Sequence, residues 1–427
     1  MKSQRVHFLG IDGSGASAVA SIAIADGFEV NGCGTTLHNE FTEYFDKSIL
    51  ISGEHKLKDV DILAVTPAIF SANPNHPDLL LAKKNGIKVM TWQEFMGEYL
   101  EKDKFVIAVC GTHGKSTTTA MVGRLLEDAG LDPTVELGAI VNRWGTNFRI
   151  GKGKYFVTEA DEFNNNFLVS SPDITIVTTI EMDHPEFFKD LADYESSFFK
   201  FLIRTKQAIV ANIADFGVAH VLKDVMKETS VTSVDYSKNQ LNLDLIVPGK
   251  HNQQNASAVF QVGILLGIDP EIIRFSLENF TGVGRRFEMV GRYNGALVYS
   301  DFGHHPTEVS VTLEAAREKF PDKKITCIFQ PHMYSRTRGL WKEFKTVLSN
   351  LPVDKTIVLD IYKARETPIK GVSSEKLVKE IAKKDVLYST DENLVNLLKN
   401  TSQDDVLFFI GAGPVDEIAR NLTRQTT

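Results

Sequence analysis

Residues 106–119, which read VIAVCGTHGKSTTT, decide the fold of this chain. The apolar run 106–109 predicts a buried strand, and a helical pattern follows the glycine-containing turn 111–116. A strand, a glycine turn and a helix together are the context of a phosphate-binding loop, where backbone N–H groups and the helix dipole hold phosphate oxygens. The pattern departs from G-x-x-x-x-G-K-[ST] only at Val109, which replaces the first glycine. The stretch therefore predicts ATP binding, and the alternative is an ordinary strand-to-helix turn that carries Gly-Lys-Ser.

The residue types in this turn predict individual roles. Lys115 is expected to reach the terminal phosphates of ATP, and the Ser116 hydroxyl is expected to bind Mg²⁺. The nucleotide-binding residues predicted for this loop are Gly111, Thr112, His113, Gly114, Lys115, Ser116 and Thr117.

Composition excludes some classes of function. The net charge of −8 argues against non-specific binding of nucleic acid, because no broad basic field is available. The cysteines Cys33, Cys110 and Cys327 are odd in number and lack metal-type spacing, which predicts buried thiols in a reducing compartment. The first residues lack the apolar core of a signal peptide, and no apolar run approaches membrane-spanning length. We expect a cytoplasmic protein, monomeric or homodimeric, without nucleic-acid or membrane partners.

The 427 residues alternate between short apolar strands and helical patterns, which predicts α/β domains built on parallel sheets. The charged segment 101–104 reads as a linker. We predict three domains over residues 1–103, 104–290 and 291–427: a Rossmann-like domain, a central ATPase domain of the phosphate-loop type, and a second Rossmann-like domain.

Acidic side chains follow two predicted strands of the central block. Glu159 opens the sequence EADE after one strand, and IEMDH, which ends at His184, follows another. Ligands bind at the carboxyl ends of strands in such sheets, and Mg²⁺ prefers oxygen ligands. Ser116 and Glu159 fit a magnesium site, which His184 could complete. Taken singly, each acid also fits a solvated loop charge.

Three further segments carry weaker signals. In the first block, Gly10, Gly13 and Gly15 come near the dinucleotide fingerprint, but Asp12 stands where a second glycine would approach a pyrophosphate. The side-chain amides of GKHNQQN (249–255) fit either adenine recognition or helix capping. Paired arginines in GRRFE (284–288) suit a phosphate clamp and equally a solvated basic turn.

The third block carries a polar cluster at two predicted strand ends. DFGHHPTE (301–308) supplies two histidines, and FQPHMYSRT (329–337) supplies a third with an arginine. This cluster predicts a substrate site. Metal binding is the competing interpretation, but Pro306 and the loop context remove the helical spacing that such sites use.

Together these segments resemble the Mur ligase family. The motifs that carry the resemblance along the central and C-terminal blocks are GTHGKSTTT, EADE, IEMDH, HNQQN, GRRFE, DFGHHPTE and FQPHMYSRTR. The last two are most similar to the branch that adds L-alanine to UDP-N-acetylmuramate in the synthesis of peptidoglycan precursors. The resemblance implies an ATP-dependent carboxylate–amine ligase with a UDP-sugar domain, a central ATPase and an amino-acid domain.

The resemblance also implies roles for individual residues. Lys115 neutralises charge on the transferred phosphate, while Ser116, Glu159 and His184 hold Mg²⁺. The nucleotide would further contact Asn252 and Asn255 through adenine, Arg286 through phosphate and Asp301 through ribose. The sugar nucleotide and the amino acid would bind at Gly10, Gly13, Ser14, Gly15, His304, His305, His332 and Arg336, of which His305, His332 and Arg336 are grouped with the catalytic residues Lys115 and His184.

The sequence departs from the family pattern in four places. Asp12 replaces a glycine, Cys33-Gly34 replaces Ser-Asp, Asn164 replaces an aspartate, and Met333 replaces the arginine of FQPHRY. These departures concern the sugar nucleotide and the amino acid and leave the ATP chemistry intact. The alternative interpretations are a related ligase that adds another amino acid or a recycled murein peptide, a non-catalytic nucleotide-sugar-binding regulator, and a phosphate-loop motor or switch ATPase.

Overall fold

The computed structural model describes residues 4–52, 57–238 and 241–424, and it contains three β-sheets, each flanked by helices. The predicted fold class, three-domain α/β with largely parallel sheets, is confirmed. The first two sheets belong to one compact unit of the chain, and the third belongs to another, which also takes in residues 181–194 and 242–254. Among the described residues, no helix combines the length and the apolar character needed to cross a bilayer.

The first sheet has four parallel strands in the order β2-β1-β3-β4. Local signals fix its helices: α3 has Pro77 in its first turn and ends at Gly86, whose φ of 68° suits glycine. The strands are β1 (Arg5–Leu9), β2 (Glu29–Cys33), β3 (Ile62–Val65) and β4 (Lys88–Thr91). The helices are α1 (Ser14–Ala25), α2 (Ala68–Ala72), α3 (Pro77–Asn85) and α4 (Trp92–Phe95), and a π-helical turn, Met96–Leu100, follows α4.

The second sheet has seven strands in the order β11-β10-β9-β5-β8-β6-β7, parallel except for the antiparallel pair β6–β7. Its strands are β5 (Phe105–Cys110), β6 (Thr134–Val141), β7 (Thr146–Arg149), β8 (Tyr155–Glu159), β9 (Ile174–Val177), β10 (Ala208–Ala211) and β11 (Thr232–Asp235). The helices of this block are α5 (Lys115–Asp128), a 3₁₀ segment (Phe163–Val169), α6 (Leu191–Leu202), α7 (Phe216–Glu228), α8 (Lys250–Leu265) and α9 (Pro270–Glu278).

Strand β5 is the centre of this second sheet. It pairs with β8 on one side and β9 on the other, and residues 106–110 are fully buried. A strand covered on both faces must be apolar throughout, which is why VIAVC carries no alternation. Each buried valine or isoleucine contributes about 1.5–3 kcal/mol relative to exposure. The strand therefore gives its following loop a rigid base.

The third sheet has six strands in the order β12-β13-β17-β14-β15-β16, with only β12–β13 antiparallel among them. Its strands are β12 (Glu288–Tyr293), β13 (Ala296–Asp301), β14 (Lys324–Phe329), β15 (Lys355–Val358), β16 (Val386–Tyr388) and β17 (Asp405–Ile410). Its helices are α10 (Pro306–Lys319), α11 (Tyr334–Gly339), α12 (Trp341–Asn350), α13 (Ser374–Ile381), α14 (Asp391–Leu398) and α15 (Val415–Arg424).

The segment predicted as a linker, 101–104, is attached to the central block at both ends. The Glu101 carboxylate is buried and accepts a hydrogen bond from Ser170 Oγ at 2.7 Å, and Lys104 donates to the carbonyl of Gly153. Burial raises the pKa of Glu101 to about 7. The run of charges is thus a packed connection, not a free tether.

Candidate functional site

The glycine turn after β5 is folded tightly against the end of β9. Gly111 has a φ of 130°, and a Cβ at this position would lie 2.1 Å from Thr178 Oγ1. Only glycine fits so close an approach with that backbone conformation. The Thr178 hydroxyl donates to the carbonyl of His113 at 2.6 Å. The turn is therefore closed onto its neighbour strand by a side chain outside the motif.

Backbone hydrogen bonds hold the same turn from Thr179. The Thr112 N–H donates to the Thr179 carbonyl at 2.8 Å, and the His113 N–H donates to Thr179 Oγ1 at 3.2 Å. With both N–H groups satisfied, the turn has a defined shape. The order of strands β9-β5-β8 brings these loops together, since parallel neighbours end at the same sheet edge.

Gly114 is the residue before α5 and carries a φ of 79°. A Cβ there would lie 2.8 Å from Asn255 Oδ1, so the amide of Asn255, on α8, abuts the phosphate loop. Asn255 was predicted to contact adenine. Its position beside Gly114 puts it next to the loop backbone, and the adenine contact stays a prediction.

Lys115, the first residue of α5, is surrounded by oxygen atoms. Its Nζ donates to the carbonyl of Gly111 at 2.7 Å and to the carboxylate of Glu162 at 2.9 Å. Burial lowers the pKa of Lys115, but the carboxylates of Glu162, Asp161 and Glu159 outweigh it and raise the pKa above its ordinary value. The lysine is therefore a permanent cation in the turn, as its predicted role requires.

Ser116 and Glu159 form the pair of oxygen donors that Mg²⁺ binding was predicted to use. Ser116 Oγ donates to Glu159 Oε1 at 3.0 Å, and the second oxygen, Oε2, accepts from the Gly138 N–H at 2.8 Å. The hydroxyl and carboxylate lie at the ends of adjacent elements, next to the phosphate loop. A hydroxyl and a carboxylate oxygen side by side fit the ligand preference of Mg²⁺.

His184, the third predicted magnesium ligand, belongs to the second compact unit. It adopts a φ of 55°, and its Nδ1 lies 3.2 Å from Glu186 Oε1. Its assignment to the metal stays a prediction. The neighbouring residue, Asp183, has a clear structural role in this unit.

Asp183 and Arg336 form a buried ion pair. Arg336 Nε donates to Asp183 Oδ1 at 3.0 Å, and Arg336 Nη1 donates to His332 Nδ1 at 3.1 Å. Burial raises the pKa of Asp183, but His184 and Arg336 outweigh it and hold the pKa well below its usual range. The structure thus brings two predicted substrate residues, His332 and Arg336, into one hydrogen-bonded group.

His304 lies beside this group. Its ring centroid is 6.0 Å from that of His332, and its Nδ1 lies 3.2 Å from the carbonyl of Phe302, to which it donates. Burial lowers the pKa of His304 to about 3 and that of His332 to about 4. Both imidazoles are neutral near neutral pH, and they can therefore accept or donate hydrogen bonds without adding charge.

His305 begins helix α10 as its N-cap. Its Nδ1 accepts from the Thr307 N–H at 3.3 Å, and the Glu308 carboxylate accepts from the backbone N–H of His305 at 3.1 Å. These contacts satisfy amide groups that the first helical turn would leave open. His305 Nδ1 also lies 3.5 Å from Glu181. Its predicted substrate contact stays a prediction beside this capping role.

The remaining predicted nucleotide residues make internal contacts. The Asp301 carboxylate, at the end of β13, accepts the backbone N–H groups of Phe287 and Gly303, each at 2.8 Å. Burial raises its pKa. The Arg286 guanidinium lies over the Phe302 ring at 4.8 Å. Asn252 Nδ2, on α8, donates to the carbonyl of Pro248 at 2.7 Å.

The loop predicted to bind the sugar nucleotide follows β1. Gly10 has a φ of 92°, Gly13 precedes α1, and the carbonyl of Ser14 accepts from Asn147 Nδ2 at 2.5 Å. A Cβ at Gly15 would lie 2.5 Å from the Trp92 ring, so the start of α1 needs glycine for close packing.

Two of the residues that depart from the family pattern, Asp12 and Gly34, lie against each other. The Asp12 carboxylate accepts the Thr36 N–H at 2.7 Å, and a Cβ at Gly34 would lie 2.1 Å from Asp12 Oδ1. The family pattern has glycine at the first position and aspartate at the second, and this chain has the reverse. The carboxylate is thus directed at the loop after β2, and glycine at position 34 leaves space for it.

Four residues of these sites were not assigned roles from the sequence: Glu162, Thr178, Thr179 and Asp183. Glu162 and Asp183 stand inside quoted motifs, so a search for a counter-ion to each predicted cation would have found them. The two threonines follow strand β9, and their position at the sheet edge was the available signal.

Models of three Mur ligase domains match this chain. The Mur ligase family, catalytic domain, matches residues 5–104; the Mur ligase middle domain matches 109–246; and the Mur ligase, glutamate ligase domain, matches 285–413. The chain belongs to the Mur ligase family. The resemblance drawn from the motifs is confirmed.

Within this family, the chain is similar to ligases that are named for one pair of substrates. The UDP-N-acetylmuramate–L-alanine ligase of Clostridium acetobutylicum is 37% identical, over 97% of this chain and 96% of its own, and that of Lawsonia intracellularis is 35% identical, over 98% of both. The crystal structure of the UDP-N-acetylmuramate–alanine ligase of Thermotoga maritima superposes with a TM-score of 0.80 at 28% identity, covering 99% of each chain. A murein peptide ligase of Psychrobacter arcticus, at 21% identity and a TM-score of 0.69 over 98% of both chains, shares the fold.

Proposed function

We propose that this ligase joins L-alanine to UDP-N-acetylmuramate, with ATP as the energy source, in the synthesis of peptidoglycan precursors. The observation that carries the proposal is the ordered phosphate loop, with the Lys115 cation and the Ser116–Glu159 oxygen pair at its helix end. Relatives that carry this activity in their names align over nearly the whole chain, which supports the same choice of substrates.

The chemistry requires activation because a carboxylate is a poor electrophile. An oxygen of the muramate carboxylate attacks the γ-phosphorus of ATP, the bond to the β,γ-bridging oxygen breaks, and an acyl phosphate and ADP form. The neutral amine of alanine then attacks the acyl carbon. The tetrahedral intermediate loses inorganic phosphate, and the nitrogen loses a proton, which leaves the amide.

Residues of the phosphate loop supply the electrostatic part of this reaction. Lys115 would shift its ammonium from Glu162 toward the transferred phosphate, where its fixed charge offsets the charge that develops. Ser116 and Glu159 would hold Mg²⁺, with His184 as the proposed third ligand, and the bound ion would neutralise phosphate charge. Asn255 beside Gly114 supports the loop backbone from α8.

The amino-acid site is proposed at the group formed by His304, His332 and Arg336. Arg336 supplies a positive charge for a carboxylate, and Asp183 fixes the orientation of its guanidinium. The imidazoles are neutral near pH 7, which suits hydrogen bonding to an amine or an acyl oxygen. His305 at the start of α10 completes the proposed lining. The UDP-sugar is assigned to the loop that follows β1.

Release of ADP, measured with UDP-N-acetylmuramate and one amine at a time, tests the proposal. We expect turnover with L-alanine, and less with L-serine or glycine. Turnover only with the murein tripeptide would replace alanine by a recycled peptide. ATP hydrolysis that needs no amine would indicate a motor or switch ATPase. Absence of all turnover in a preparation that binds ATP would indicate a regulator with the ligase fold.

A cytoplasmic location is also proposed. The three cysteines are buried free thiols, a state that a reducing compartment maintains.

A further inference from the structure

Three potential metal ligands converge in the block of the first sheet, and none of them is among the site residues discussed above. They are His7 on β1, Cys33 at the end of β2 and Asp78 in the first turn of α3. One donor atom from each lies within 4.8 Å of the others. All three side chains are buried, with exposed fractions of 1%, 4% and 2%. Three separate elements therefore direct polar donor atoms into one buried cluster.

The orientation of the His7 ring is fixed by Asn31. His7 Nδ1 lies 2.6 Å from Asn31 Oδ1, and an amide oxygen only accepts, so the Nδ1 atom of the neutral ring carries the proton. The lone pair is then on Nε2, which lies 3.3 Å from Cys33 Sγ. A histidine that donates one ring N–H to a fixed oxygen and directs the other nitrogen at a site is the usual arrangement of a metal ligand.

The distances between donors fit a small tetrahedral ion. Nε2 of His7 is 3.3 Å from Cys33 Sγ, and that sulfur is 4.0 Å from Asp78 Oδ2. Metal–ligand bonds of about 2.0–2.3 Å at tetrahedral angles place neighbouring ligands about 3.5 Å apart. The observed separations lie on either side of that value. The third pair, His7 and Asp78, lies within the same 4.8 Å limit, so side-chain adjustments of about 1 Å or less would bring all three donors to one ion.

The charges of the cluster also balance around a divalent ion. A thiolate and a carboxylate together carry two negative charges, and the imidazole is neutral, so a dication would leave no net charge in this buried place. Without a cation, burial and the nearby Asp78 carboxylate raise the pKa of Cys33 to about 12 and keep it a thiol. Cation binding would release that proton.

We propose that His7, Cys33 and Asp78 bind a borderline-soft divalent cation of the zinc class at a structural site. A water molecule or His76, whose Nδ1 lies 3.7 Å from Asp78 Oδ2, completes the coordination. This site differs in donor chemistry from the Ser116–Glu159 pair, whose hard oxygens suit Mg²⁺. The Cys33 carbonyl accepts the Gly10 N–H at 2.7 Å, so the ion would fasten the strand that supports the predicted sugar loop.

Cobalt binding to the full-length protein tests this site. Purified chain is stripped with a chelator, loaded with Co²⁺, and measured by absorption and by metal content after gel filtration. The thiolate-to-cobalt charge-transfer band reports sulfur ligation, which a Co²⁺ ion in an all-oxygen site cannot produce. Cys33→Ser and Asp78→Asn are the test variants. Cys327→Ser, at an equally buried thiol on β14, is the matched control.

We expect one Co²⁺ with a thiolate band in the wild type and in Cys327→Ser, and at least a tenfold weaker Co²⁺ affinity in Asp78→Asn. Cys33→Ser should lose the band while keeping a native circular dichroism spectrum. Zn²⁺ should displace Co²⁺ and raise the melting temperature of the wild type more than that of Cys33→Ser. Absence of a thiolate band in folded wild type, or a band that survives in Cys33→Ser, would overturn the proposal and leave a hydrogen-bonded core cluster.

Discussion

Arg336 donates its Nε–H to Asp183 Oδ1 over 3.0 Å, and both side chains are buried. The two residues are 153 positions apart in sequence, and the same guanidinium also donates to His332. A buried pair of this kind costs desolvation, and it is stable because each charge has a partner. It sets the orientation of the arginine that we assign to the amino-acid site.

Asp183→Asn should destabilise the fold by about 3–5 kcal/mol, because the Arg336 charge would stay buried without its counter-ion. Urea unfolding measures this change. Asp224→Asn is the control: Asp224 pairs with Lys227 at 2.6 Å, both exposed, and its loss should cost less than about 1 kcal/mol. Equal losses of unfolding free energy in the two variants would show that the buried ion pair contributes no more to stability than the exposed one.

Acid pH should weaken the fold in a defined range. The folded pKa values of His304 and His332, about 3 and about 4, lie below the unfolded value of about 6.5. The unfolded chain therefore binds protons first, and stability is full above pH 6.5 and falls as pH drops toward 4. Below about pH 4, protonation of Asp183, whose folded pKa is depressed, removes a further contribution.

Melting temperatures between pH 4 and 8 check this expectation. His332→Gln should reduce the slope, since glutamine keeps an acceptor for Arg336 without taking up a proton. His220→Gln, at an exposed histidine paired with Glu195, is the control. A slope that His332→Gln leaves unaltered would assign the acid sensitivity to other groups.

Lys115→Met should lower turnover by at least about 10²-fold, because the transferred phosphate would lose its fixed cation. It should also destabilise the chain, since Glu162 has no exposed surface and would lose its ammonium partner. Adding Glu162→Gln should restore the melting temperature without restoring activity. Binding of UDP-N-acetylmuramate, followed by calorimetry, should stay nearly constant; its loss in a folded variant would show that the two sites are misplaced.

Gly34→Ala should weaken binding of the nucleotide sugar and destabilise the fold by about 1–3 kcal/mol through overpacking. The new methyl group would meet the Asp12 carboxylate, which must then release the Thr36 N–H. Asp12→Gly in the same chain should relieve the clash, so the double variant should be more stable than Gly34→Ala alone. If the stability changes of the two single variants simply add up in the double variant, positions 12 and 34 are not energetically coupled, which would contradict this prediction.

Met333→Arg should lower the KM for the amino acid, with little change in kcat, if position 333 faces its carboxylate. Met333 has a φ of 68°, and its N–H donates to the Tyr362 carbonyl at 2.8 Å, so the backbone there is held by a neighbouring loop. Met289→Arg on β12, at a half-exposed methionine, is the control for added charge. An unchanged KM would remove position 333 from the site.

Local patterns predicted much of this fold. The strand before the phosphate loop was expected at 106–109 and occupies Phe105–Cys110, and the acidic ending at Glu159 is the last residue of β8. Such segments are predictable because burial on both faces demands a continuous apolar run. The antiparallel strands β7 and β12 were not predicted, since edge pairing depends on which neighbour the third dimension supplies.

The site was less predictable wherever partners lie far apart in sequence. Asp12 stands where the fingerprint has a glycine, and the partner of its carboxylate, the Thr36 N–H, lies in another loop. The three cysteines showed no metal-type spacing, yet Cys33 meets His7 and Asp78, which are 26 and 45 residues away. Spacing rules describe ligands on one hairpin or helix, and they cannot detect donors that a parallel sheet brings together.

The threonines that hold the turn after β5 have a thermodynamic consequence. Because Thr178 and Thr179 already fix this turn, most of its conformational entropy is lost during folding. A nucleotide then meets a rigid cradle, so its association should be rapid and should follow a single exponential, with no slow phase from loop rearrangement. Substitution of these two threonines should add a slow phase to the association kinetics of the nucleotide.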